Sequence, residues 1–321
     1  MPTTTVPELP PAPGLSVLVP VYNSQDSLPE LVARLEPVLR AAAEKFEVLL
    51  INDGSRDGSW QVVERLAAQH EWVRGLNLMR NYGQHNALLC GLRTARLDTI
   101  VPIDDDLQNP PEEIPKLLAK LGEGFDVVYG PPEEQQHGLL RDVASTITKL
   151  VLQGAMGAET ARHISAFRAF RTRLRDALAD YRSPLVNLDV LLTWGTTRFA
   201  AVKVRHDARR HGTSNYTVRK LVVHALNMAT GFSTWPLRLA SLGGFLFTLF
   251  GIGIFVFVVG RYMVQGTPVP GFPFLASIIA IFSGAQLFAL GVIGEYLARI
   301  HMRGMERPTY AVREVVGGTA S

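Results

Sequence analysis

Three consecutive carboxylates, Asp104-Asp105-Asp106, are followed by Leu107-Gln108. Bare carboxylates crowded in one loop repel each other, and a hard divalent cation removes that cost. Mg²⁺ and Mn²⁺ prefer oxygen ligands and are held by one or two carboxylates together with substrate phosphates. Alternate residues of an extended segment face one way, so Asp104, Asp106 and Gln108 converge and Asp105 points elsewhere. A metal held there would neutralise charge building on a leaving diphosphate. The competing reading is a solvated acidic turn capping the next helix. Asp53, in Asn52-Asp53-Gly54-Ser55, is placed either to accept a hydrogen bond from a base or ribose or simply to shape its turn. Arg80 is placed to pair with a diphosphate or to form a surface ion pair.

Other chemistries lack their residues. None of the eight His lies in a His-Glu-x-x-His arrangement, and there is no Gly-x-Ser-x-Gly elbow or Walker loop. His85, His163, His206 and His211 read as surface or packing residues. The single cysteine, Cys90, excludes an intrachain disulfide and a cysteine-rich zinc site. A formal charge of +3 is too small to point to nucleic acid.

The elements that must hold these residues alternate. Apolar runs predict strands at Leu15–Val19, Phe46–Ile51, Val73–Met79, Thr99–Ile103 and Asp126–Tyr129. Helical periodicity predicts helices at Ser27–Ala43, Asp57–Gln69, Gln84–Arg93 and Pro111–Leu121. Such alternation implies an α/β domain with a parallel sheet covered on both faces. Ligands of open parallel sheets sit beyond the carboxyl ends of the strands. Polar turns collect there: Pro20-Val21-Tyr22-Asn23, Asn52 to Ser55, Arg80-Asn81-Tyr82-Gly83 and Asp104 to Gln108. One such turn is only a turn; four on one rim make a site. Further along, helices are expected at Leu139–Gln153, Thr172–Ala179 and Leu185–Trp194, with strands at Ser165–Phe170 and Phe199–Val204.

The composition then changes. Leu239–Gly260 and Gly271–Gly294 are 22 and 24 residues without a charge. Each is long enough for a hydrocarbon core, which takes about 20 residues. Arg219, Lys220 and Arg238 precede the first run, Arg299, Arg303 and Arg307 follow the second, and only Arg261 lies between. The positive-inside rule therefore puts both ends in the cytoplasm. The expected division is a disordered lead-in at 1–14, a cytoplasmic domain at 15–215 and an amphipathic juxtamembrane helix at 216–236. A multi-pass hairpin at 237–298 (spans at about 239–260 and 271–295) and a cytoplasmic tail at 299–321 complete it. The start has no apolar h-region and does not read as a signal peptide. Gly251-Ile252-Gly253 lies inside a span with no strand before it, so it is not a dinucleotide fingerprint. Between Arg198 and Lys220 stand seven Lys/Arg and one acid, Asp207. Such a cluster suits anionic headgroups. Glu295 and Arg299 are spaced for a local ion pair.

These turns, in this order, resemble family 2 glycosyltransferases, specifically the polyprenyl-phosphate glycosyltransferases similar to dolichyl-phosphate mannosyltransferase and the bacterial undecaprenyl-phosphate sugar transferases. The likeness continues through Gly212-Thr213-Ser214-Asn215-Tyr216, Phe232 to Arg238, Gly294 to Ile300 and Arg307-Pro308. It implies a nucleotide-sugar-binding, Rossmann-like fold of the glycosyltransferase A type with interfacial helices and a two-helix transmembrane hairpin. It implies inverting, metal-dependent transfer from a UDP- or GDP-linked sugar to a polyprenyl phosphate at the inner (plasma) membrane. By the same resemblance Asp104, Asp106 and Gln108 hold Mg²⁺ or Mn²⁺ and the diphosphate. Pro20, Tyr22, Asn23 and Asp53 line the nucleoside, and Arg80 and Asn81 belong to the donor site. Arg168, in Ser165-Ala166-Phe167-Arg168, meets the acceptor phosphate; Arg205, Arg209 and Ser214 lie near the sugar diphosphate or lipid phosphate. A homo-tetramer is the expectation by analogy.

There are departures from the family pattern. Asn52-Asp53 stands where two acids are usual. Tyr129 to Glu134 replaces an expected arginine, for which Arg141 is the substitute. Asp105 occupies a position commonly Ala and is given no role. No Gln-x-x-Arg-Trp motif occurs, which argues against polymerisation. Two other readings stay open: the same fold with a diacylglycerol or protein acceptor, and a non-catalytic membrane scaffold that binds nucleotide sugar.

Overall fold

The computed structural model describes residues 14–133, 164–183, 186–207, 234–265 and 271–318. The expectations for the lead-in, the helix at Leu139–Gln153, Arg141, His163, Arg209, His211, Ser214 and the juxtamembrane helix lie outside them.

The first half folds as its periodicity dictates. Strands β1 (Leu15–Val21), β2 (Phe46–Asn52), β3 (Val73–Leu78) and β4 (Thr99–Pro102) run parallel, β4 and β2 flanking β1. β1 is buried at every position, the mark of a strand covered on both faces. Helix α1 (Leu28–Ala42) turns Leu28, Leu31, Val32, Leu35 and Leu39 inward, a stripe at helical spacing. Helices α2 (Ser59–Gln69), α3 (Gln84–Thr94) and α4 (Ile114–Gly122) complete the cover.

The sheet is mixed, where an all-parallel one was expected. Among the described residues it has eight strands in the order β7-β5-β6-β4-β1-β2-β3-β8. β5 (Val127–Tyr129) and β7 (Phe199–Ala201) pair in parallel. Between β5 and β4 runs β6 (Arg168–Arg171), antiparallel to both. Its start falls three residues later than the expected Ser165, because only Arg168 onward finds ladder partners, Tyr129 facing Arg168. A 3-10 segment (Thr172–Leu178) stands where an α-helix was expected, followed by α5 (Leu188–Gly195). Asn187 caps α5, its side chain accepting from Val190 N–H at 3.1 Å.

The other edge is closed by a strand from the far end of the chain. β8 (Val312–Val316) lies antiparallel on β3, with Gly75 opposite Val316. A Cβ at Gly75 would stand 2.5 Å from Val63 Cγ1 and 2.7 Å from Val316 Cγ2, so glycine there makes room for the edge strand. Asn77 donates to Glu314 at 2.9 Å and accepts from Asn52 at 2.8 Å, carrying the contact inward. The segment beyond the hairpin thus includes part of the sheet rather than only a tail. One compact unit comprises the described residues of Met1–Thr217 and Glu306–Ser321; the other comprises those of Val218–Met305.

The second unit is two helices, α6 (Trp235–Gln265) and α7 (Phe272–Gly304). Both are long and apolar enough to cross a membrane. They meet at Phe247 and Phe282, rings 5.5 Å apart and edge-on, beside Gly251. Leu246, Phe255, Phe257, Leu287 and Phe288 are exposed, as the lipid-facing side of such a pair requires. The expected ion pair is present, Arg299 to Glu295 at 2.7 Å.

Candidate active site

The four polar turns at the carboxyl ends of β1, β2, β3 and β4 are tied into a closed ring by side chains that reach from each turn to the next. Turn one meets turn two twice: Asn23 Oδ1 accepts from Arg56 N–H at 2.8 Å, and Asn23 N–H donates to Ser55 Oγ at 3.0 Å. Asn23 itself holds φ +55°, a left-handed conformation that asparagine tolerates better than most residues. Turn two meets turn three through Asp53, whose two oxygens accept from Tyr82 and Gly83 N–H at 2.7 and 2.8 Å. Burial pushes the Asp53 carboxyl above its ordinary value, and those two N–H bonds only partly offset it. Turn three meets turn four where Gln84 Nε2 donates to Asp104 Oδ1 at 2.6 Å.

Turn four closes on turn one through Asp105. Its Oδ2 accepts from Tyr22 N–H at 3.3 Å and from the Ser24 hydroxyl at close range. Asp105, given no role from the sequence, is the clasp of the ring. Both partners follow β1, which pairs with β4 in the sheet. Burial pushes the Asp105 carboxyl upward as well, against the Ser24 and Tyr22 hydrogen bonds.

Gly54 shows how tightly turns two and three pack. Its φ is +66°, and a Cβ there would lie 2.5 Å from Asn81 N and 2.7 Å from the Arg80 carbonyl carbon. Gly54→Ala is expected to cost about 2 kcal/mol or more, from the left-handed backbone and the overpacking together. Thermal unfolding of the variant beside wild type measures it.

The acidic turn then bends sharply. Leu107 is buried at φ +60°, its side chain in the core cluster beneath the rim. Asp106 Oδ1 accepts from Gln108 N–H at 3.1 Å. The segment after β7 lies along this turn: Asp207 N–H donates to Gln108 O at 2.8 Å, and the His206 ring is 3.3 Å from Asn109 Oδ1. Arg205 donates its N–H to Glu113 at 3.2 Å, and its guanidinium lies 3.2 Å from Asp207. Residues 205–207 of the basic stretch are thereby fixed beside Gln108, Asn109 and Glu113. His206, set down as a surface or packing residue, helps to hold it there; only the sheet order reveals that neighbourhood.

A family model described as glycosyl transferase family 2 matches residues 16–180. The chain belongs to that family. Over 310 residues this glycosyltransferase is 36% identical to the undecaprenyl-phosphate 4-deoxy-4-formamido-L-arabinose transferase of Shewanella sediminis, covering 96% of this chain and 94% of that one. The protein of the same description from Klebsiella pneumoniae is 34% identical over 310 residues, with 96% and 95% covered. Among solved structures, glucosyl-3-phosphoglycerate synthase from Mycobacterium tuberculosis, in complex with Mn²⁺, UDP and glucosyl-3-phosphoglycerate, aligns with a TM-score of 0.52 at 18% identity. That alignment covers 68% of this chain and 78% of that one, a likeness of fold.

The remaining expected site residues of the transferase fall into three groups. Tyr22, Asn23, Arg80 and Asn81 are exposed on the ring, with Arg80 stacked over the Tyr82 ring at 4.8 Å. Pro20 is a buried residue of β1, opposite Ile51. Arg168 is not at the surface: it is 2% exposed, and its Nη1 donates to Asp189 at 2.6 Å and to Ser165 O at 3.2 Å. The Tyr129 hydroxyl shares that carboxylate at 3.1 Å. Burial, and then the Asp189 charge, pushes the Tyr129 phenol well above its ordinary value. In this geometry Arg168 fastens the start of α5 to β5 and β6. His85 helps by accepting from Leu188 N–H at 3.3 Å. Tyr129 and Asp189, which the sequence did not single out, belong to the same cluster.

Proposed function

We propose that this family 2 enzyme transfers a sugar from a nucleotide sugar to a polyprenyl phosphate, undecaprenyl phosphate first among them, at the cytoplasmic face of the membrane. The observation that carries the reading is the closed ring of turns. It brings the turn that carries Asp104 and Asp106 together with the turns after β1, β2 and β3, and Arg205 lies beside Glu113, just past that acidic turn. The whole-length similarity to transferases described as acting on undecaprenyl phosphate supports the acceptor, and the two long apolar helices support the membrane location.

Among the described residues no three His, Cys, Asp or Glu gather as a ready-made metal cage. The donor set nonetheless fits Mg²⁺ or Mn²⁺, which need only one or two carboxylates when substrate phosphates supply further oxygens. Asp104, Asp106 and Gln108 would hold the ion, and it would neutralise the charge of the departing diphosphate. The likeness in fold to a synthase solved with Mn²⁺ and UDP agrees with a divalent ion and favours UDP over GDP.

The chain's own residues then have positional tasks. Tyr22, Asn23, Asp53, Arg80 and Asn81 orient the nucleotide along the ring. Arg205, with Arg209 and Ser214 further along the basic stretch, holds phosphate oxygens. A phosphate monoester has its second pKa near ~6, so the acceptor arrives largely anionic and needs little help from a base. Attack on the anomeric carbon from the side opposite the nucleotide inverts its configuration. Orientation and electrostatic placement carry the rate.

The test is a donor panel with undecaprenyl phosphate, read by mass spectrometry of the lipid. The panel contains UDP- and GDP-linked hexoses and UDP-linked 4-deoxy-4-formamido-L-arabinose. One glycosylated lipid phosphate is expected, formed with a UDP-linked donor. Glycosylation of diacylglycerol or a peptide, with the lipid phosphate untouched, would overturn the acceptor assignment.

A further inference from the structure

The end of the sheet opposite the ring carries a cavity of about 550 Å³ lined by Arg96, Arg171, Arg173, Arg175 and Arg198, with Asp98 the one carboxylate in its wall among the described residues. Topology assembles it. β6 runs against β4, so the end of β6 at Arg171 stands beside Thr99, where β4 begins. Arg198 immediately precedes β7, whose Phe199 pairs with Val127 at the start of β5. Arginines distant in sequence therefore meet where β4, β5 and β7 begin, across the sheet from the acidic turn.

The guanidinium groups are fastened in ways that leave much of their charge unneutralised. Arg171 donates to Leu121 O at 3.2 Å and Arg175 to Ala95 O at 2.7 Å. A carbonyl anchor fixes a guanidinium and leaves its net charge, and most of its five N–H groups, free for another acceptor. Arg173 pairs with Asp126, whose carboxylate also feels the charge of Arg198. The loop bearing Arg96 is itself held, its N–H donating at 2.7 Å to Glu47, which is paired with Arg74 at 2.9 Å.

Five arginines set against Asp98 and Asp126 leave the hollow an excess of positive charge, and an anion within it relieves that repulsion. Arginine forks match phosphate oxygens two at a time. The volume lies within the range of small-ligand sites, and Phe125 is the only aromatic in the wall. With so little to stack a base upon, recognition falls on the phosphate itself. We propose that this cavity binds a phosphate-bearing anion, as a second site separate from the one that holds the donor diphosphate. The same chemistry is offered by a free polyphosphate and by an anionic lipid headgroup.

The experiment uses the full chain in detergent, with Asp106→Asn and EDTA present to silence the donor site. Inorganic pyrophosphate is titrated calorimetrically. In a second arm the melting temperature is compared in micelles doped with phosphatidylglycerol or with phosphatidylcholine. Arg96→Gln/Arg198→Gln is tested in the same background, with its melting temperature measured beside the parent's as the control for folding, and in the otherwise wild-type enzyme the pair should leave transferase activity unchanged. Hydrogen bonds to charged groups are worth enough that the double variant should bind about tenfold more weakly or worse. Arginine-dependent binding of pyrophosphate alone identifies a free phosphate as ligand. A phosphatidylglycerol shift alone, lost in the variant, identifies a headgroup, and both effects together mean that either source fills the site. No response in either arm, or equal responses by parent and variant, overturns the proposal.

Discussion

Asp106→Asn is expected to lower sugar transfer by about 10³-fold or more, since an ion that neutralises a leaving group supplies several kcal/mol of transition-state stabilisation. The fold should hardly notice. Asp106 is only half-buried, and its Oδ1 accepts from Gln108 N–H within the same turn. An asparagine carbonyl can take over that bond. The amide keeps the shape and loses the charge that a hard cation requires, so melting temperature should stay near wild type while turnover collapses. Excess chelator should do the same to the wild-type enzyme, and Mg²⁺ or Mn²⁺ should restore it. Normal turnover in Asp106→Asn, or in wild type under chelator, would remove the metal assignment. Asp105→Asn makes an informative companion. Asp105 closes the ring on Tyr22 and Ser24, so its replacement should act on the positioning of turn one rather than on metal dependence.

Arg168→Ala should destabilise the domain by about 3–5 kcal/mol, the usual result of stripping one partner from a buried ion pair. The guanidinium is 2% exposed, and its removal would leave the buried Asp189 carboxylate, among the described residues, with the Tyr129 hydroxyl beside it and no cation. Denaturant unfolding of the variant reads the loss. Replacing both charges by apolar residues of similar volume, Arg168→Met with Asp189→Leu, should recover much of it, because the uncompensated charge goes as well. The resemblance also casts Arg168 as the arginine that meets the acceptor phosphate. Arg168→Lys, which retains the charge, separates the two roles. A rise in acceptor KM exceeding that in donor KM speaks for a phosphate contact. Equal changes in both, with lowered stability, leave Arg168 as a positioning residue for the start of α5.

Much of this molecule was legible before any coordinates. β1 to β5 appear as short apolar runs, because a strand covered on both faces is apolar at nearly every position. α1 to α4 appear as stripes at helical spacing, and α6 and α7 as runs that tolerate no charge across a membrane's width. The four polar turns could be assigned to one rim because parallel strands present their carboxyl ends together. In each case the signal is local: a few consecutive residues meet one environment, and their types record it.

The tertiary structure decided what depends on partners far away in sequence. β8 is an exposed edge strand in which Arg313 and Glu314 stand side by side among three valines, so by itself it reads as a charged tail. It becomes a strand because Gly75 leaves space for Val316 and Asn77 reaches Glu314. β6 is too short to declare its direction, which is set by the registers of β4 and β5. Asp105 looked surplus until β1 was seen beside β4. Arg168 was expected only to meet an acceptor phosphate, and its buried partner Asp189 comes from α5; five scattered arginines formed one hollow only where strands of opposite direction end and begin together. Residue type and spacing record the local environment of each segment; the identity of a neighbour across the sheet is fixed only when the chain closes on itself.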